Sequence, residues 1–124
     1  MDYNGVEKRR FVRANFPCKI IIHSPQEQVI TTHTENIGAG GVRVIIDEKL
    51  EVFSQVTLRI FLEPEPIESK GRVVWVVERK SSAIDEIDRF DTGFEFFQIK
   101  DPDRKAINDL VERIISENND SRKN

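Results

Sequence analysis

Six separate stretches of this chain have the composition of strands, several with an apolar residue at every second position, and only its last segment changes to the spacing of a helix. A period of two means a strand with one face in a core, which confines the chain to folds where several strands share that core. From Pro17 onward, Cys18, Ile20 and Ile22 share one face against Lys19, Ile21 and His23, until Ser24-Pro25 closes the strand. A second strand is expected over about 28–35, through Val29, Ile30, Thr31 and Thr32. In the third, Val42, Val44 and Ile46 alternate with Arg43 and Ile45, and Asp47-Glu48 ends it. The fourth, about 55–62, aligns Val56, Leu58, Ile60 and Leu62. Glu63-Pro64-Glu65-Pro66 then forms a stiff acidic connection that no sheet interior accepts. The fifth, about 68–78, sets Val73, Trp75 and Val77 against Arg72, Val74 and Val76; apolar residues on both sides predict a strand covered twice. Residues 79–90 are polar enough to read as a loop or a short irregular turn. The sixth, Thr92 to Ile99, turns Phe94 and Phe96 away from Gly93, Glu95 and Phe97.

Beyond it the period changes. Ile107, Leu110, Val111, Ile114 and Ile115 fall on one stripe of a helix, and Asp101-Pro102 is a good N-cap and first-turn pair. Nothing apolar occurs from Ser116 to Asn124, so the end is expected to fray. Six strands and a terminal helix predict an all-β fold, a six-stranded antiparallel β-barrel or strongly curled sheet with a C-terminal α-helix over one opening or flank. The organisation expected is a flexible basic arm over 1–10, the barrel with its helix over 11–117, and a disordered tail over 118–124.

Charge and composition narrow the function. The net charge is −3, with both signs mixed, and a broad basic face for long nucleic acid is not available. No apolar run approaches the roughly 20 residues that cross a bilayer, so no membrane insertion is expected. The basic residues near the start have no apolar stretch behind them, unlike a secretory signal. The single cysteine, Cys18, forms no internal disulfide and reads as a small buried hydrophobe in a reducing, cytoplasmic setting. His23 and His33 with Cys18 lack the spacing of a zinc site and read as ordinary strand residues. No nucleophile elbow or phosphate-binding GxxxxGK[ST] loop occurs, and Glu63 with Glu65 sits in an exposed linker, so catalysis is not expected.

Two stretches carry chemistry instead. Between Glu7 and Lys19 the chain gathers Lys8, Arg9, Arg10, Arg13 and Lys19 against the one acid Glu7. Such a run is often a solvated face, yet arginine forks also give paired hydrogen bonds to phosphate or to the O6/N7 edge of guanine. Extended, Arg9 and Arg13 would lie about 13 Å apart on one side; in a turn they converge. The second stretch, ENIGAGGV, offers the Asn36 amide followed by Gly38, Gly40 and Gly41. Those glycines permit positive φ and close backbone approach, and successive amides in such a turn form an anion-binding nest; a plain hairpin would use similar residues. Trp75 reads as core packing, with base stacking as the alternative. Arg43, Arg59 and Arg72 stand as auxiliary phosphate contacts against a default of solvated strand face.

KRRFVR, ENIGAGGV, GRVVW and DTGFEF, in that order, resemble the PilZ domain, whose members bind cyclic di-GMP. The likeness runs from about Glu7 to Ile115 and leaves no room for a separate output domain. It implies a six-stranded barrel with a C-terminal helix, in agreement with the strand count above. The RxxxR element falls on Arg9 and Arg13, with Arg10 as an extra basic neighbour, and [DN]xSxxG falls on Asn36, Gly38 and Gly41, with Gly38 where the serine belongs. The resemblance implies that the arginines grip phosphates and guanine edges, that Asn36 contacts guanine, and that the loop including Gly40 brings backbone alongside. Losing the serine hydroxyl would cost about 0.5 to 1.5 kcal/mol, up to roughly tenfold in affinity. The implied activity is that of a receptor passing its signal to an unidentified effector protein, with a ligand-independent adaptor as the alternative.

Overall fold

The computed structural model describes residues 13–63, 65–80 and 86–123, with side chains described as far as residue 118. Its strands are β1 (Arg13–Ala14), β2 (Lys19–His23), β3 (Val29–Gly38), β4 (Gly41–Ile46), β5 (Gln55–Ile60), β6 (Ile67–Lys80) and β7 (Ile87–Gln98), followed by helix α1 (Asp101–Lys123). Six of them close a ring in the order β2-β3-β4-β7-β6-β5 and back to β2, every neighbour antiparallel. The expected six-stranded barrel is therefore the fold. The two-residue β1 adds to the same edge of β3 that β2 occupies, pairing Arg13 with Gly38 and Ala14 with Ile37.

The alternation read from the sequence fills the barrel. Cys18, Ile20, Ile22, Val42, Val44, Ile46, Val56, Leu58, Ile60, Val73, Phe94 and Phe96 are all buried. The helix lays Ile107 and Val111 fully into this core, with Ile114 and Ile115 packed partly against it. Asp101 and Asp103 place negative charge in the first turn, where the helix dipole favours it. The helix continues to Lys123, past Ser116 where the apolar stripe stops and fraying was expected. Once a helix is nucleated against a core, each further residue adds a hydrogen bond without needing a packed face.

Three expectations change. Residues 79–80 and 87–90 are strand, not loop: β6 runs to Lys80 and β7 starts at Ile87, with Arg79 opposite Arg89 and Lys80 opposite Ile87. This part of the hairpin is solvated on most of its surface, which leaves no alternation to read. Trp75 is not core, because a bulge between Val73 and Trp75 inserts one residue and turns the indole outward, 39% exposed. The double covering of the fifth strand fails for the same reason: Val73 is buried, while Val77 is half exposed on the outside. The arm over 1–10, including Arg9 and Arg10, lies outside the described residues.

The gap between β1 and β2 is closed by one buried side chain. Thr34 donates its hydroxyl to the Phe16 carbonyl at 2.6 Å and accepts from the Cys18 amide at 3.1 Å. Its own amide donates to the Cys18 carbonyl at 2.9 Å. Burial raises the Cys18 thiol above its ordinary pKa, partly offset by its hydrogen bond with Thr34, so it behaves as a structural thiol. Thr34→Val should leave the Cys18 amide and the Phe16 carbonyl short of a partner at near-constant volume. An expected loss of about 1 to 3 kcal/mol in urea unfolding, largely restored by Thr34→Ser, checks this.

Candidate functional site

Pairing register places four residues in one lateral row across the outside of the barrel: Asn36 on β3 opposite Arg43 on β4, Arg43 opposite Gly93 on β7, and Gly93 opposite Trp75 on β6. Asn36 reaches the outside through a second bulge, between Thr34 and Asn36, which leaves Thr34 and Ile37 buried and Asn36 half-buried. Trp75 lies across Gly93, and any Cβ at Gly93 would overlap the indole ring. Only glycine lets that ring lie flat on the strand.

Arg13 stands at the edge of this row. Its Nε and Nη2 both donate to Asn36 Oδ1, at 2.9 and 2.6 Å. The second arginine of the RxxxR element and the asparagine singled out in the sequence are thus in contact, across twenty-two residues of intervening chain. Arg13, Asn36, Gly40, Arg43, Trp75 and Glu95 line a cavity of 290 Å³. Burial, and after it the positive charge of Arg43, lowers the Arg13 pKa from its ordinary value.

Beside the row lies a charge cluster that period and motif reading missed. Asp91, only 3% exposed, accepts four N–H bonds from two arginines. Arg43 gives Nε at 2.7 Å and Nη2 at 2.8 Å, one to each carboxylate oxygen, and Arg79 gives Nε at 3.1 Å and Nη2 at 2.6 Å to Oδ2. Hydrogen bonding from Arg43 holds the Asp91 carboxyl below its usual range; burial opposes this, and Arg79 adds to it. Hydrogen bonding to Asp91 in turn raises the pKa of Arg43. Asp91 stood in a stretch expected to join loop and strand, and only an unpaired acid amid strand residues could have signalled it.

The glycines behave differently from the nest expected of them. Gly38 ends β3 and pairs with both Arg13 and Gly41; Ala39 and Gly40 make the turn; Gly41 opens β4. No described glycine has positive φ. The correction is that Ala39-Gly40 is a hairpin turn, and Gly41 is needed because a Cβ would collide with the Phe94 carbonyl oxygen. The Gly40 carbonyl is itself engaged, accepting from the Phe96 amide at 3.0 Å. Of the auxiliary arginines, Arg43 lines the cavity. Arg59 lies over Phe61 and Arg72 over Phe97, at 5.4 and 5.1 Å from the ring centres.

A larger groove of 660 Å³ lies between α1, the start of β2 and the β5–β6 connection. It mixes Lys19 and Arg113 with Glu63, Glu65, Asp103 and Asp109, so it offers no positive field for an anion. Among the described residues no group of three or more His, Cys, Asp or Glu could hold a metal ion, and no helix is long and apolar enough to cross a membrane.

The PilZ domain model matches residues 7–113 of this sequence. No curated protein matches it. Among solved structures, the Bacillus subtilis inhibitor of motility (MotI/DgrA) is similar with a TM-score of 0.76 at 23% identity, over 88% of this chain and 52% of that one. The PilZ domain of YcgR from Escherichia coli, solved with c-di-GMP, gives a TM-score of 0.68 at 13% identity, over 91% of this chain and 98% of that one. MrkH, described as a c-di-GMP-dependent transcription regulatory factor, gives 0.66 at 16% identity, covering 88% and 52%. The chain thus spans about half the length of MotI/DgrA and of MrkH.

The folded pKa of Asp91 lies below its unfolded value of about 3.9, so its stabilisation is present above that pH and lost as pH falls through the folded value. Urea unfolding between about pH 6 and 2.5 should show stability falling over that acid window. In Asp91→Asn the fall should be shallower, because the proton-linked part contributed by this carboxylate is gone.

Proposed function

The chain belongs to the PilZ domain family, and from that membership we propose that it is a cyclic di-GMP receptor that acts in the cytoplasm and hands its signal to an effector protein. PilZ domains are ligand receptors, not enzymes. The observation that carries the proposal is the Arg13 fork, held by Asn36 beside Arg43 and the exposed face of Trp75. A guanidinium turned outward meets a phosphate or the O6/N7 edge of guanine with paired bonds. An indole lying flat beside it supplies a stacking surface for a base, worth about 1 to 3 kcal/mol in single-stranded nucleic-acid complexes. The fold it shares with the YcgR domain solved with c-di-GMP supports the same reading.

The site residues we assign are Arg9, Arg10, Arg13, Asn36, Gly38, Gly40 and Gly41. Arg9 and Arg10 complete the grip from the segment preceding β1. In this proposal, ligand phosphates neutralise Arg9 and Arg13 and order the basic arm across the barrel, and the surface of arm, ligand and barrel rim is what the effector recognises. Ordering costs roughly 1 to 2 kcal/mol per backbone residue, which charge-assisted contacts must offset. A second reading, a ligand-independent adaptor on the same barrel, is favoured by Gly38 standing where the family's serine belongs and by Arg13 having a partner in Asn36 without ligand.

Calorimetric titration with cyclic di-GMP, with GTP and linear pGpG as controls, separates the two. Saturable heat with cyclic di-GMP alone, accompanied by a change in emission of the chain's one tryptophan, is the expected result. Silence at tens of micromolar ligand leaves the adaptor. Arg13→Ala should weaken binding by about 2 kcal/mol or more, near thirtyfold, and Arg13→Lys should recover little, since an ammonium lacks the two-pronged edge. Amide relaxation of residues 7–13 reads the ordering step. Rigidity without ligand, or mobility at saturation, would sink that step while leaving binding intact.

A further inference from the structure

Three arginines on the outside of the barrel, Arg13, Arg43 and Arg79, turn the same edge inward. Arg13 gives its Nε and Nη2 protons to Asn36, and Arg43 and Arg79 give theirs to Asp91. A guanidinium has five N–H donors in a plane, and a contact through Nε and one Nη2 proton leaves the Nη1/Nη2 edge free for a second bidentate partner. Arg43, directly opposite Asn36 and with its side chain 31% exposed, lines the same cavity as Arg13. Two like charges are thereby held on one small concavity. Asp91 does not cancel both arginines it binds, since one carboxylate faces two guanidiniums, and the cluster keeps a net positive charge.

We infer that Arg43 is a fourth arginine of the ligand site, beside Arg9, Arg10 and Arg13, bridging one phosphate of the dinucleotide together with Arg13, and that Asp91 is the positioning residue that aims it. The inference rests on the cyclic di-GMP reading. An anion between Arg13 and Arg43 relieves their mutual repulsion from both sides, whereas Asp91 and Glu35 act on Arg43 and Glu95, the acid on the cavity, is paired with Arg72 at 3.7 Å. Arg79 offsets the charge of Asp91, so the carboxylate orients Arg43 without repelling the phosphate. The extra fork also supplies hydrogen bonds that Gly38, without a hydroxyl, cannot.

Calorimetry of the full chain with cyclic di-GMP at two salt concentrations tests this through Arg43→Ala, Arg43→Lys and Asp91→Asn. Arg43→Ala should bind at least tenfold more weakly, with a shallower salt dependence, and Arg43→Lys should recover only part of the loss. Asp91→Asn makes the protein more positive. If the carboxylate acted only as a nearby negative charge, binding would tighten; if it aims Arg43, binding weakens despite the added positive charge. A purely structural Asp91 would lower the melting temperature and leave affinity unchanged well below it. Arg43→Ala affinity within threefold of the unaltered protein overturns the role of Arg43, and unchanged or tighter binding by Asp91→Asn overturns the positioning role. Should Asp91→Asn fail to fold, Arg43→Lys with its charge retained decides whether the aimed fork matters: full affinity there overturns it. Absence of binding by the unaltered protein overturns the receptor reading itself and this inference with it.

Discussion

Everything on the outer face depends on two bulges in a closed ring of strands. A barrel of six antiparallel strands fixes which side of each strand is core, and a shift of one residue exchanges the two faces. The bulge after Thr34 keeps Thr34 and Ile37 inside and sends Asn36 out. The bulge after Val73 keeps Val73 inside and sends Trp75 out. Without either insertion, strict alternation from the buried residue two positions earlier would carry the side chain into the core. Between these bulged strands β4 and β7 pair without interruption, so Arg43 and Gly93 stay in step with both neighbours. The row Asn36–Arg43–Gly93–Trp75 is the product of two strands bulged at the row flanking two that pair with each other without a shift.

That arrangement explains which parts of the molecule the sequence disclosed. Alternation is a record of one-sided burial, so the core faces of β2, β4 and β5 were legible residue by residue, as was the Ile107–Val111 stripe of the helix. A bulge leaves no such record. Val73, Val74, Trp75, Val76 and Val77 are apolar without a break, and nothing in their order says which of them is the extra residue. The distal β6–β7 hairpin was equally opaque, since solvent on both sides removes the pattern. Arg13 and Asn36 were legible through motif chemistry, independent of period. Asp91 was not, because its role comes from two arginines that lie 48 and 12 residues away in sequence.

Thr34 links the core to the site. Its side chain holds together the chain between β1 and β2, and β1 carries Arg13. A two-residue strand has little pairing of its own, so its attachment relies on neighbours: Ala14 buried at the edge of the core, and the Thr34 bonds on Phe16 and Cys18. Arg13 therefore sits on a segment whose other end is anchored in the barrel.

The internal bonds of the site set the terms on which any anion binds. Because Arg13 already has an acceptor in Asn36, and Arg43 in Asp91, neither guanidinium must be reoriented from a freely rotating state. An arginine side chain freezes up to about 2 kcal/mol of rotamer entropy when it is fixed, and here much of that ordering accompanies folding. The acceptors differ, however. Asn36 is neutral, so it orients Arg13 while leaving its charge undiminished; Asp91 is anionic, and its charge would be felt by a phosphate were Arg79 not bonded to the same oxygen. A buried carboxylate with one arginine would make a neutral pair of little use to an anion, and two arginines without the carboxylate would repel each other and scatter. The three together give an aimed cation with net positive charge. In the proposed receptor the cluster's value to binding would therefore reside in its stoichiometry of two guanidiniums to one carboxylate, more than in any single bond within it.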